Sequence, residues 1–290
     1  MKLVSFGPVG RERPGVLLES GILDLCDKDP RLPRTVREIL WRDLLNDVRR
    51  LAEDTLPDDA SLVEVEDTRF GPPITDASKI ICIGLNYADH AAEQDKPLPK
   101  EPLLFAKAPT TLCGVEDPIL LPEIEPNVDI EAELAFIVGR RAHRVSAAEA
   151  YAFIAGYMNF NDVSGRAAQH GDKQWFRGKS FDTFGPCGPY LLTRDELPDP
   201  HALEIGSRIN DFVLQKSRTD QLIHKVPQLL EYITRGITLV PGDIVSTGTP
   251  AGVGIFRQPP VFLKAGDRVQ VQIEKLGALS NPVRHEHETP

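Results

Sequence analysis

The run Asp129-Ile130-Glu131-Ala132-Glu133-Leu134-Ala135-Phe136-Ile137-Val138-Gly139 sets alternating carboxylates at the entrance of an apolar, strand-like segment. Side chains at i and i+2 of a strand share a face, so Glu131 and Glu133 stand side by side, roughly 6.5–7 Å apart along the chain. Two carboxylates at the mouth of a buried strand repel each other, and the arrangement is costly unless a cation neutralises it. A hard divalent metal does so. The same pattern also suits the polar face of an edge strand turned to water, so further partners must decide between the two.

The chain supplies partners. Asn159-Phe160-Asn161-Asp162-Val163-Ser164-Gly165-Arg166-Ala167-Ala168-Gln169 places a third carboxylate, Asp162, in apolar surroundings near Arg166 and Gln169. Three carboxylates plus water commonly hold Mg²⁺ where a substrate must also reach the ion; an Asn-Asp turn or helix cap is the plainer role for Asp162. His90 and Glu93 are three apart in a stretch of helical propensity, on one face of a helix. A histidine whose proton is managed by a carboxylate can act as a general base near neutral pH; a surface histidine with a casual i,i+3 carboxylate is the plainer role. Lys179, in Trp175-Phe176-Arg177-Gly178-Lys179-Ser180-Phe181-Asp182, is placed to stabilise an oxyanion or enolate, or to lay its stem over aromatic surface. The loop Thr247-Gly248-Thr249-Pro250-Ala251-Gly252-Val253-Gly254 offers backbone N–H groups and a hydroxyl, with Thr249 at its centre, to a substrate carboxylate. It lacks a GxGxxG leading into a helix and is not a dinucleotide fingerprint. His285-Glu286-His287-Glu288 reads as a frayed tail.

These residues need elements to position them. Leu3–Phe6, Val16–Leu18 and Ile22–Leu25 read as short strands, and Val36 to Leu51 recur at helical spacing as one surface helix. Gly71-Pro72-Pro73 marks a boundary between a small N-terminal α/β domain, 1–72, and a catalytic domain, 73–290. Lys79–Leu85 reads as a buried strand and Asn86–Glu93 as a helix. Gln94 to Lys100, polar and broken by proline, completes a mobile lid carrying His90. A capping box at Ser146–Glu149 predicts a helix to about Gly156, followed by a strand over Met158–Asp162. Gln228–Arg235 is bracketed as a helix by Pro227 and Gly236, and Val269, Val271 and Ile273 alternate as a half-buried strand. The class is α+β and β-rich: a mixed β-roll with peripheral helices.

With 290 residues, 41% hydrophobic, the chain can bury a substantial core. A net charge of −10 without a basic block argues against nucleic acid and anionic membranes as partners. Four dispersed cysteines form no CxxC, and an N-terminus soon interrupted by Gly7 and Pro8 reads as that of a cytoplasmic protein.

Taken in order, these segments resemble the fumarylacetoacetate hydrolase superfamily in its short bacterial form, the acylpyruvase and hydroxymuconate isomerase-like members. The matching pieces are Gly84-Leu85-Asn86-Tyr87-Ala88-Asp89-His90 with Glu93, Asp129 to Leu134, Asn161-Asp162-Val163-Ser164 with Arg166 and Gln169, Gly178 to Asp182 with Gly185-Pro186, and Pro241-Gly242-Asp243-Ile244 running into Thr247-Gly248-Thr249-Pro250. The resemblance implies Mg²⁺, or Mn²⁺ or Ca²⁺, on Glu131, Glu133 and Asp162, a catalytic His90–Glu93 dyad with Lys179, and substrate contacts from Arg166, Gln169, Lys179 and Thr249. It implies a homodimer, and hydrolysis of a carbon–carbon bond in a 2,4-dioxo acid; isomerisation or oxaloacetate-type decarboxylation on the same enolate-holding site is the alternative. The family commonly carries Arg-Asp where this chain has Arg166-Ala167, so a carboxylate that orients the arginine is missing from the local sequence.

Overall fold

Short aliphatic runs punctuated by Gly and Pro fold as strands in the computed structural model, which describes residues 1–288; residues 289–290, the end of the 73–290 segment, lie outside the described residues. The strands are β1 (Lys2–Phe6), β2 (Arg13–Leu18), β3 (Gly21–Asp24), β4 (Leu62–Val63), β5 (Ile80–Gly84), β6 (Leu103–Lys107), β7 (Leu112–Cys113), β8 (Ile119–Leu121) and β9 (Val128–Asp129). They continue as β10 (Ala132–Val138), β11 (Ile154–Asn161), β12 (Ser164–Gly165), β13 (Gly185–Thr193), β14 (Glu204–Ile209), β15 (Phe212–Arg218), β16 (Ile244–Ser246), β17 (Arg268–Ile273) and β18 (Ala278–His285). The helices are short: α1 (Leu25–Lys28), α2 (Val36–Trp41), α3 (Leu45–Glu53), α4 (Ala88–Glu93), α5 (Arg166–Gly171), α6 (Phe176–Lys179) and α7 (Val226–Thr234).

Among the described residues, eleven strands form one sheet in the order β4-β3-β2-β1-β13-β11-β10-β16-β5-β6, with β7 attached to β13. A second sheet of five runs β15-β14-β17-β18-β8. Pairing is antiparallel except at β16–β5, β13–β7 and β18–β8. The N-terminal strands enter the large sheet directly, because β1 pairs with β13. Phe136 and Tyr157 on one face of that sheet pack with Val271 and Leu279 of the second sheet and Leu229 of α7. Ala135, Ile137 and Met158 on the other face pack with Ile39 and Leu40 of α2 and Val48 of α3. This is the expected β-rich α+β roll, and it sets β10 between β11 and β16 in the interior of the sheet, so Glu131 and Glu133 do not lie on an edge.

Three local expectations are corrected. The helix expected from Val36 to Leu51 is two: Asp43 takes φ 55°, a conformation Asp tolerates better than most residues, and the chain turns between Trp41 and Leu45. The helix expected after Ser146 is a single 3₁₀ turn, Ala150–Phe153. Ser146 Oγ bonds the Glu149 side chain, and by Ile154 the chain is already paired with Val138 in the sheet. His285 ends β18, paired with Leu121, so the tail begins only after it.

Candidate active site

Strand parity builds the acidic cluster. Glu133 lies opposite Phe160 in the β10–β11 register, so Glu131, Glu133 and Asp162 fall on one face of the pair, and the Asp162 N–H donates to the Glu131 carbonyl (2.9 Å). All three side chains are buried, and one oxygen from each lies within 4.8 Å of the others. Glu133 is bound through Oε2 by Ser246 Oγ (2.5 Å) and the Gly248 N–H (3.0 Å). Gly248 is required there: it has φ +100°, and a Cβ would stand 2.9 Å from Asn86 Cβ.

Cations reach the cluster from elements distant in sequence. Lys179, at the end of α6, donates to Glu131 Oε2 (2.7 Å) and Asp162 Oδ2 (2.6 Å), with its Nζ 5.2 Å from the centre of the Phe105 ring. Lys107, the last residue of β6, donates to Asp162 Oδ1 (2.6 Å) and the Val163 carbonyl (3.1 Å). Arg166 donates to Asp129 Oδ1 (2.7 Å), Glu131 Oε1 (2.6 Å) and Gln169 Oε1 (2.8 Å). Asp129 thus orients Arg166, supplying the carboxylate that position 167 lacks; its Oδ2 accepts the Ile255 N–H (2.8 Å). The start of α5 is held by the buried Glu125, which accepts from the N–H groups of Ala167 (3.1 Å) and Ala168 (2.8 Å). Gly178 lets α6 approach α5 closely, since a Cβ would sit 2.5 Å from the Gln169 nitrogen.

The charges do not balance. Asp129, Glu131, Glu133 and Asp162 face Arg166, Lys107 and Lys179, and Glu133 is the carboxylate without a cation of its own. Burial, then the charges of Asp162 and Glu131, push the Glu133 carboxyl up to about 8. Burial also raises Glu131, but Lys179 and Arg166 outweigh it and hold that carboxyl below its ordinary value. Asp129 is lifted to about 6 by burial against the pull of Arg166. A buried carboxyl with no cation of its own, in an all-oxygen donor set, fits a hard divalent cation that would displace its proton, with Glu131, Glu133 and Asp162 as the residues to hold it.

Helix α4, the expected lid, is docked. Glu93 Oε1 accepts the Gly252 N–H (2.8 Å), and Asp89 accepts from Ser217 Oγ (2.5 Å). His90, 6% exposed, bonds Glu93 Oε2 through Nδ1 (3.0 Å), contacts Gln94 Nε2 through its own Nε2 (2.8 Å) and meets the Phe256 ring edge-on at 5.6 Å. Thr249 Oγ1 donates to the Ala132 carbonyl (3.0 Å) and accepts from Gln215 Nε2 (2.8 Å), so its hydroxyl proton ties the loop to β10. Among the described residues the Gln169 Nε2 and Thr249 N–H have no partner, and both residues line the cavity.

One cavity of about 110 Å³ therefore joins His90, Glu131, Glu133, Arg166, Gln169 and Lys179, with Thr249 also in its wall. A wider, shallower concavity on the second sheet, lined by Glu204, Arg208, Lys216 and Gln270 among others, gathers no comparable group of acid, base and donor. Sequence reading missed Lys107, Asp129 in its orienting role, Glu125, Ser246 and Gln215. Lys107 alone carried a signal, as a lysine closing the strand Leu103-Leu104-Phe105-Ala106.

No helix among the described residues is long and apolar enough to cross a membrane. Residues 79–284 match the family model for the fumarylacetoacetate hydrolase C-terminal domain. A Bos taurus protein, the mitochondrial oxaloacetate tautomerase FAHD2A, is 44% identical over 98% of this chain and 91% of its own length. The fumarylacetoacetate hydrolase of Exiguobacterium antarcticum superposes with TM-score 0.86 at 34% identity, covering 99% of this chain and 100% of that one. A maleylpyruvate hydrolase from Sphingobium sp. SYK-6, solved with manganese(II) and pyruvate, gives 0.82 at 27% identity over 98% of this chain and 99% of that one. With its fold, its ordered motifs and these likenesses in agreement, the chain is an enzyme-family member and belongs to the fumarylacetoacetate hydrolase family.

Proposed function

We propose that this protein is a metal-dependent enzyme that interconverts the keto and enol forms of a compact 2-oxo dicarboxylic acid of the oxaloacetate type. The observation that carries the reading is the small cavity in which a buried base, an ammonium and two carboxylates of the acidic cluster, Glu131 and Glu133, meet, with Asp162 buried directly behind them. Its volume of about 110 Å³ is below the ~150 Å³ that takes up a benzene ring. With the lid docked, only the 2-oxo acid end of a substrate fits inside, and a second carboxylate lies at the mouth, where Lys96 and His170 stand. The relative named an oxaloacetate tautomerase, 44% identical, supports the same chemistry.

Bound by Glu131, Glu133 and Asp162, Mg²⁺ or Mn²⁺ would supply positive charge for a 2-oxo acid and its developing enolate. The side chains supply the proton path. Glu93 accepts the Nδ1 proton of His90, leaving Nε2 to take a proton from the carbon between the 2-oxo group and the distal carboxylate. The electron pair released moves onto the 2-oxo oxygen, next to which Lys179 offers an ammonium. The imidazolium then returns a proton, to oxygen for the enol or to carbon in the reverse direction. Gln169 Nε2 and the Thr249 N–H are the donors left for the carboxylates.

Carbon–carbon hydrolysis of an acylpyruvate is a second reading, favoured by one observation: the His90–Glu93 pair is also suited to activate water. The test is a panel of oxaloacetate enol, acetylpyruvate and fumarylpyruvate with Mg²⁺ or Mn²⁺, following enol absorbance and products. Accelerated ketonisation of the oxaloacetate enol without cleavage is expected. Cleavage of the acylpyruvates with no effect on ketonisation would overturn the tautomerase reading in favour of the hydrolase.

A further inference from the structure

Gln94, the first residue after α4, makes two contacts whose polarities constrain each other. Its Oε1 lies 2.7 Å from Lys96 Nζ, and its Nε2 lies 2.8 Å from His90 Nε2. A lysine ammonium only donates, so Oε1 must be the atom facing Lys96 and the NH₂ must face the imidazole. The imidazole nitrogen it meets must then be an acceptor. That assigns the ring proton to Nδ1, where Glu93 Oε2 is 3.0 Å away and, as a carboxylate, accepts it. A doubly protonated ring would set Nε2–H against the Gln94 NH₂, donor to donor.

We propose that Gln94 is a positioning residue for the base: it donates to His90 Nε2, opposes protonation there, and keeps the imidazole neutral with its lone pair held for proton transfer. The inference rests on the reading of His90 as the base. Two neighbours on the lid hold the two ring nitrogens: Glu93 accepts from Nδ1, and the amide, fixed by Lys96, donates to Nε2. From the loop after β16 the ring meets the uncharged edge of Phe256, and the Gly252 N–H binds Glu93 rather than the ring. Across the cavity stand Glu131, Glu133, Arg166, His170 and Lys179; Arg166 and Lys179 are each paired with carboxylates. Gln94 is thus the group in direct contact with Nε2, and substrate must displace its N–H before a C–H proton can move to that nitrogen.

The experiment uses the Mg²⁺-loaded protein labelled with ¹⁵N-histidine, in which the His90 signals are assigned by their loss in His90→Gln. At pH 7 the wild-type ring is expected to carry one proton, on Nδ1. In Gln94→Glu a carboxylate replaces the donor, so both nitrogens should be protonated at pH 7. Its kcat/KM on oxaloacetate enol should fall at least tenfold at pH 7 and recover as pH is raised, with KM changing less than kcat. Gln94→Leu, which removes the donor without adding charge, should give an intermediate loss with the same recovery. A wild-type proton on Nε2, or a ring that stays neutral in both variants, would overturn the proposal. If the ring responds as expected while turnover is unchanged at every pH, the role of Gln94 stands and the assignment of His90 as the base falls.

Discussion

Replacing Lys179 with methionine should move metal binding and catalysis in opposite directions. The Lys179 ammonium is 2.7 Å from Glu131 Oε2 and 2.6 Å from Asp162 Oδ2, two of the three carboxylates that would hold a cation. An ion sharing those carboxylates would lie on the order of 4 Å from Nζ, given oxygen–metal distances of about 2.1 Å. Repulsion between a divalent and a unit charge at that distance is about 2 kcal/mol with water-like screening and about 8 kcal/mol at an effective dielectric of 20. The lower figure alone corresponds to about 30-fold in affinity. Methionine keeps much of the stem over Phe105, while Arg166 still pairs with Glu131 and Lys107 with Asp162, so the carboxylates remain anchored. Calorimetric titration with Mg²⁺ is therefore expected to show binding at least 30-fold tighter in Lys179→Met, while kcat falls by about 10²–10³ through loss of a donor to the developing oxyanion. The metal-free variant should also melt earlier than wild type, since two buried carboxylates each lose a partner. Weaker Mg²⁺ binding in Lys179→Met would refute the reasoning, because it would mean that the ammonium assembles the site rather than opposing the ion.

Glu131→Gln, Glu133→Gln and Asp162→Asn should each weaken Mg²⁺ binding by more than the 10–100-fold typical of outer contacts, and wild-type affinity in any one of them would remove that residue from the ligand set. Glu125→Ala leaves the N–H groups of Ala167 and Ala168 without their acceptor, so urea unfolding should show a loss of about 2 kcal/mol, and KM should rise because α5 carries Arg166 and Gln169; a change below about 0.5 kcal/mol would count against the cap. His201 Nε2 accepts the Val226 N–H (3.1 Å) at the start of α7, and burial, only partly offset by Asp199, holds the ring below its ordinary value of 6.5. The unfolded chain then binds the proton more readily, so this contribution is complete above pH 6.5 and is lost as pH falls through the lower folded value. Denaturant midpoints should decline on acidification below 6.5 and decline less in His201→Asn; equal slopes would exclude this histidine.

What could be read from the chain was what depends on neighbours in sequence. Strand parity put Glu131 and Glu133 on one face, and the i,i+3 spacing brought His90 to Glu93; both hold in three dimensions. The helix boundaries at Asp43 and Ile154 failed because a positive φ and a sheet register, not local pattern, ended the periodicity. Charge balance was also out of reach. Lys107 meets Asp162 across 55 residues and Asp129 meets Arg166 across 37, so nothing local reveals that the arginine lacking an acid at position 167 has one from β9.

That balance determines what each substitution does. Four buried carboxyls face three buried cations, and the raised Glu133 carboxyl keeps a proton near pH 7 until a cation displaces it; the low-dielectric site amplifies any change in that count. Replacing Glu133 takes away both a donor oxygen and the negative charge it would offer an ion on losing its proton, whereas removing an ammonium leaves carboxylates unpaired and keeps the oxygens. With the ion bound, Glu133→Gln and Lys179→Met each shift the net charge of the site by one unit, in opposite senses, and so should move Mg²⁺ affinity in opposite directions although both abolish efficient turnover. A site whose carboxylates served only to anchor Lys179 and Arg166 would respond to neither substitution in this way, since it would bind no ion whose affinity could change.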